Sequence, residues 1–463
     1  MAFEPGVASA RIRDASQATE HHTQATLIAA LLGFFVITLD AVVVNVALPT
    51  LARDLGAGVD GLQWVVDGYT LMFGALLLSA GALVDRIGAR RAFGIGLAVF
   101  AAASMVCGWA PTLAVLVAAR LAQGLGAAAM MPASMALIRQ AYPEPVRRGH
   151  AVALWAMGGS VAATSGPVIG GWLASLSWRW IFFVNLPVGL LTLAFLARTP
   201  PSPRRSTPFD AVGQLTAVLA MGALIYGAIE AGVRGLGATP VWSAFALAAV
   251  ALVAFTWSQA RGTHPMIPPG LLAPRNARIA VAVGFTFMVG YFGLPFVMSL
   301  YLQQGRGLSA PATGMVFLPM MLIGLVLTPF SARLVRRFGA RTMIVSGLMS
   351  MAVGLAAVAA LASSSPVNEI AALMVLVGLA GPLVAPPVTA VLLSSVPAER
   401  AGTASGIFNT SRQVGGALAV AVFGALLTQA PSFMAGLQSS LWLAASISLA
   451  TALLCSRLQP GSN

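Results

Sequence analysis

The chain has 463 residues, 58% of them hydrophobic and only 8% charged, where a soluble domain carries about 25% charged residues. That excludes a soluble protein with a lipid anchor and implies a chain mostly buried in a membrane. The net charge of +13 rests on 26 basic residues, all of them arginine; without lysine there is no Walker A loop or Schiff-base lysine, which excludes ATP use by P-loop chemistry.

Residues 1–24 are polar and read as a tail. The apolar run at 25–48 is too long for the h-region of a secretory signal and is followed by no small-residue cleavage site, so it reads as a first membrane span. Thirteen further runs follow near 62–84, 92–109, 112–135, 150–174, 179–197, 210–230, 241–258, 278–303, 312–334, 342–362, 367–393, 402–428 and 433–456. Arginines orient them. With the N-terminus in the cytoplasm, the tails and even-numbered connections hold 20 arginines, and the outward connections hold Arg53, Arg179, Arg234 and Arg306. This bias accounts for the basic charge without nucleic acid as a partner. It predicts a multi-pass membrane protein with both termini inside, and the alanine-, glycine- and arginine-rich, lysine-free composition points to a GC-rich bacterial genome and so to a bacterial cytoplasmic membrane.

The chain repeats itself. Leu83–Arg90 matches Leu334–Arg341 at an offset of 251, with six of eight positions identical, and Arg147–Ala151 matches Arg400–Ala404 at an offset of 253. Both matches follow corresponding spans on the arginine-rich side, so the repeat is parallel. The offset covers eight spans where a plain duplication needs six; the surplus matches the runs at 210–230 and 241–258. The expected fold is all-α, with six helices, an inserted pair and six more. The expected units are 25–197, 198–277 and 278–456, with a C-terminal tail at 457–463.

Carboxylates inside spans carry the chemistry, because each is costly in lipid unless it has a function or a partner. Of 13 acidic residues, only Asp40, Asp67 and Glu230 fall within spans, all in the first half or the inserted pair. Helical rise places Asp40 and Asp67 about 12 and 8 Å from the same surface on adjacent antiparallel spans. There they can form one cleft that loads and releases a proton. Arg120 is the only charge in its span and needs a carboxylate, carbonyls or water. In the loop after the second span, Gly81 and Gly88 suit close helix approach and a tight turn, while Asp85 can pair with Arg86 or Arg90, or face the N-terminus of a helix from the other half. Gly166 and Pro167 bend their helix, and Gly170 and Gly171 extend its smooth face. Phe34, Trp64, Tyr69, Phe73, Tyr291, Phe296 and Met298 are candidates for an adaptable apolar cavity, with Asn45, Gln123, Asn409 and Arg412 as polar candidates. The two cysteines cannot hold a structural zinc or an iron–sulfur cluster, and the four histidines lie in tails or loops. No cofactor or metal is expected.

Six segments in order resemble the major facilitator superfamily, and within it the fourteen-helix drug:proton antiporters, which include methylenomycin-resistance proteins. They are Leu39–Pro49, Gly81–Arg91, Arg120–Ala128, Gly166–Gly171, Trp178–Gly189 and Ala401–Gly416. The resemblance implies alternating access and proton-driven export of hydrophobic drugs. It gives Asp40, Asp67 and Arg120 to proton coupling, to which Glu230 is added by its place at the end of its span, and the 81–91 loop to a conformational latch. It places Gly166–Gly171 at an interface that limits leak. A monomer with a small hydrophobic substrate and the bilayer as partners is expected. Sodium in place of protons, a solute importer on the same fold and a non-transporting membrane sensor are the alternatives.

Overall fold

Fourteen helices long and apolar enough to cross a membrane make up the computed structural model, which describes residues 5–204 and 208–458. Glu4, Arg205 and residues 459–463 of the expected C-terminal tail lie outside the described residues. In chain order the helices are α1 (Pro5–Leu55, spanning over His21–Leu55), α2 (Val59–Ile87), α3 (Ala89–Trp109), α4 (Leu113–Ala141), α5 (Pro145–Leu176), α6 (Trp180–Ala197) and α7 (Ala211–Arg234). They continue with α8 (Thr239–Arg261), α9 (Arg275–Gly305), α10 (Ala310–Phe338), α11 (Ala340–Leu361), α12 (Val367–Ser394), α13 (Ala401–Gln429) and α14 (Phe433–Cys455). No strand occurs among the described residues.

Each predicted apolar run falls within its own helix to within one residue, and most of the helices overrun the runs. α5 starts at Pro145 rather than 150, and α1 is helical from Pro5, inside the expected tail. Hydropathy measures the apolar slab, whereas a helix ends where its hydrogen bonds end. The helices also bend where the apolar pattern gives no sign: α6 breaks at Val184, α12 breaks at Leu379, and α9 closes in a π-turn over Tyr301–Gly305.

The repeat is structural. In the first half α1 packs on α5, α2 and α3 on α4, and α6 on α1 and α3; α9–α14 repeat this pattern. The matching turns agree: Gly88 has φ 90° and Gly339 φ 82°, where only glycine is unstrained. Between the halves, α2 lies on α13 and α5 lies on α10, a pair of contacts that exchange when the two copies are swapped. The inserted α7 leans on α2 and α13, and α8 packs chiefly on α7.

The closest contacts between halves gather toward the arginine-poor face. Gln303 donates to the Val46 carbonyl at 2.8 Å, and Gln63 donates to the carbonyls of Val420 and Ala421 at 2.9 and 2.6 Å. A Cβ on Gly171 would sit 2.5 Å from the Ala310 carbonyl oxygen, and one on Gly314 2.2 Å from that of Pro167. The α5 helix packs on α1 along its length, and toward the arginine-rich face Gly158 and Gly159 lie against Leu31 and Phe34. There Ser331 of α10 donates to the Pro382 carbonyl of α12, within its own half.

Candidate functional site

Asp40 sits on α1 in the interior of the first half and is fully buried. Its Oδ2 accepts from Nη1 of Arg120 on α4, and its Oδ1 accepts from Gln123 at 3.1 Å and Asn185 at 2.8 Å. Arg120 also donates through Nε to the Val65 carbonyl at 2.9 Å and through Nη1 to Gln123 Oε1 at 2.9 Å, and its guanidinium lies 4.5 Å above the Tyr69 ring. Ser104 accepts from Gln123 at 2.7 Å, and Cys107 donates to Gln123 Oε1 at 3.2 Å. Arg120 thus has the carboxylate it requires, and Asp40 is a satisfied anion in a closed network of α1, α3, α4 and α6. Sequence reasoning missed Asn185 and Ser104. The one signal was an asparagine interrupting the apolar run Ile181–Val188.

Asp67 is also fully buried, yet neither carboxylate oxygen has a hydrogen-bond partner among the described residues. Its place follows from helical spacing: Gln63, Gly74 and Leu78 meet α13, and Asp67 stands four residues from Gln63 and seven from Gly74 on that same face. It lies on the seam between halves, while Asp40 lies inside one half. The expected shared cleft is therefore absent. Asp40 spends its oxygens on Arg120, Gln123 and Asn185, and none of its hydrogen bonds reaches Asp67. Glu230 is paired within its own helix, 2.5 Å from Arg234 Nε one turn on.

The 81–91 loop differs from expectation in its partners. Asp85 is half-exposed and forms no ion pair with Arg86 or Arg90 among the described residues. Arg90 donates to the Ala197 carbonyl at 3.0 Å instead, drawn there by the uncapped end of α6. Gly81 has open space where a Cβ would go, so it mediates no close helix approach. In the 166–171 segment, Gly166 and Gly170 pack on Val42 and Val43 of α1, whereas Pro167 and Gly171 face α10 across the halves.

The proposed cavity walls divide. Asn45 and Tyr291 line a small pocket between α1, α5, α9 and α10, together with Pro167, Phe317 and Met321. Asn45 is buried there with its Oδ1 unpartnered. Arg412 reaches toward the same α9 region, with Phe287 and Phe408 rings near 6 Å, and its buried Nε has no partner. Asn409 bonds back to the Ser405 carbonyl and accepts from Arg412 at 3.4 Å. The others are core or seam residues. Tyr69 and Phe73 pack in the first-half core, Phe296 and Met298 in the second-half core, Phe34 stacks on Trp155, and Trp64 meets Tyr226 between α2 and α7. A helix surrounded by other helices is apolar all round, so its sequence does not separate core from cavity.

A paired buried arginine, a seam carboxylate and two mirrored inter-half contacts make a two-halved membrane machine. The family model described as Major Facilitator Superfamily matches residues 30–420. The chain belongs to this superfamily. It is 39% identical over 412 residues to the multidrug resistance protein Stp of Mycobacterium tuberculosis, covering 87% of this chain and 75% of that one. It is 34% identical over 418 residues to a methylenomycin A resistance protein of Bacillus subtilis, covering 89% of each. Among solved structures, the xylose transporter XylE of E. coli aligns over 95% of this chain and 97% of its own with a TM-score of 0.65 and 17% identity, a likeness of fold alone.

Proposed function

We propose that this superfamily member exports small hydrophobic drugs or antibiotics across a bacterial plasma membrane in exchange for protons, as a monomeric transporter and not an enzyme, with no cofactor. The arginine-rich face is taken as cytoplasmic, following the positive-inside bias. On that reading, the contacts sealing the arginine-poor face belong to an inward-facing state. Relatives named for multidrug and methylenomycin A resistance support the substrate class.

One observation carries the coupling: Asp67 is wholly buried on the seam with no partner for either oxygen. A charged carboxylate there pays the full cost of desolvation, and the neutral acid pays far less. Protonation from outside lets α2 close on α13. Ionisation favours the state in which that seam is open to water. A proton taken up outside therefore drives the inward-facing state, and drug binding with proton release returns the protein outward. Coupling of this kind requires only that protonation have a different free energy in the two states. Asp40 and Arg120 brace the first half.

The test is substrate-induced collapse of a pH gradient in proteoliposomes, across a panel of hydrophobic antibiotics, with a parallel arm carrying only a sodium gradient. The wild type is expected to move protons with drug, and Asp67→Asn to bind drug but move none. Proton movement retained in Asp67→Asn, or drug movement driven by sodium alone, refutes the reading.

A further inference from the structure

We propose that the groove between the α2–α3 turn and residues 198–204 binds the headgroup of an anionic phospholipid. The groove has a volume of about 420 Å3, within the roughly 300–1,000 Å3 of small-ligand sites. Three arginines line it, Arg90, Arg91 and Arg204, and no acidic residue among the described residues does. Its remaining wall is apolar, with Ile87, Leu193 and Leu196 at the ends of α2 and α6. Cations beside an apolar wall, at the end of membrane helices, match a phosphodiester with acyl chains beneath it. A soluble phosphate compound has no use for the apolar wall.

The groove is built. The segment after α6 is strapped down at three points: His22 Nδ1 contacts the Arg198 carbonyl at 2.5 Å, Thr26 donates to Thr199 at 3.3 Å, and Ser202 donates to Gln140 at 2.7 Å. Ser202 also accepts from the Arg90 backbone N–H at 3.1 Å. The approach is close enough that a Cβ on Gly88 would stand 3.0 Å from the Ser202 carbonyl oxygen. Arg90 is partly engaged by the Ala197 carbonyl, but Arg91 and Arg204 are exposed and have neither ion pair nor hydrogen bond among the described residues. The second copy of the turn is an internal control. It has Arg337 and Arg341, but nothing lies within 4 Å of a Cβ on Gly339, so no strap closes a groove there.

Native mass spectrometry of the full chain in detergent, titrated with dioleoyl phosphatidylglycerol or dioleoyl phosphatidylcholine, tests the assignment. One phosphatidylglycerol is expected to bind preferentially. Each basic side chain at an anionic membrane surface is worth about five-fold in affinity, so Arg91→Gln with Arg204→Gln is expected to weaken it roughly 25-fold. Arg91→Lys with Arg204→Lys should retain most of the binding, which separates lost charge from lost structure. Arg337→Gln with Arg341→Gln should leave it unchanged. Equal binding of the two lipids, equal loss in both glutamine pairs, or displacement of phosphatidylglycerol by millimolar inorganic phosphate would overturn the proposal.

Discussion

Replacing Asp40 tests the whole electrostatic account of the first half. The residue is fully buried and accepts from Arg120, Gln123 and Asn185. Asp40→Asn removes the one carboxylate paired with Arg120 among the described residues and turns an amide toward groups that already donate. The guanidinium keeps only the Val65 carbonyl and Gln123 Oε1. Removing one partner of a buried pair costs about 3–5 kcal/mol, because the other charge is left uncompensated. Arg120→Gln should cost a similar amount. The double variant leaves no net charge, so its cost should fall well below the sum, with a coupling of at least about 2 kcal/mol. Asp67→Asn is the contrast: it breaks no hydrogen bond, and its cost should stay within about 1 kcal/mol. Unfolding by SDS in mixed micelles, followed by tryptophan fluorescence, reads all four. Additive single costs, or an Asp40→Asn variant as stable as the wild type, would refute the ion-pair assignment.

Gln63→Leu and Gln303→Leu each remove a donor that ties one half to a carbonyl of the other. Each should shift the equilibrium away from the sealed arginine-poor face by about five-fold, the worth of about 1 kcal/mol. Spin labels at the exposed Arg53 and Gln304 should report longer distances, and an unchanged distance distribution counts against the seal. Gly314→Val places a Cβ where the Pro167 carbonyl stands, so this variant should express but not export, trapped open at the arginine-poor face. Gly81→Ala meets nothing within 4 Å and should export normally. Loss of export in Gly81→Ala would show that the glycine serves a second state of the cycle.

The sequence is legible where physics acts on consecutive residues. Apolar run length gives all fourteen helices because lipid demands it of each span separately. The duplicated turn is legible because both copies need a glycine at positive φ, as Gly88 and Gly339 do. Arg120's need for a partner is legible too, since an arginine in a span cannot be neutral. Its partner is not, because Asp40 lies 80 positions away and only tertiary packing brings it there, as it brings Asn185 to Asp40 across 145 positions. Nor is the difference between Tyr291, beside the inter-half pocket, and Phe296, sealed in the second-half core one turn later. Both sit in one apolar helix, and nothing in its pattern marks which side is covered.

The two buried aspartates look equivalent as letters and differ in what a proton would do to them. Every partner of Asp40 belongs to the first half, on α4 and α6, with Ser104 of α3 closing the network. If the halves rock as rigid bodies, those contacts travel together, and Asp40 keeps the same partners in both states. A group with no difference between states cannot bias them, however buried it is. Asp67 faces α13, which belongs to the other half, so its surroundings change whenever the seam opens. To move an equilibrium from 1:99 to 99:1 takes about 5.5 kcal/mol of difference between states. Desolvating an unpartnered carboxylate is one of the few single-residue changes that reaches that scale. The position of the carboxylate relative to the moving seam, more than its burial, is therefore what the proposal of Asp67 as the proton carrier rests on.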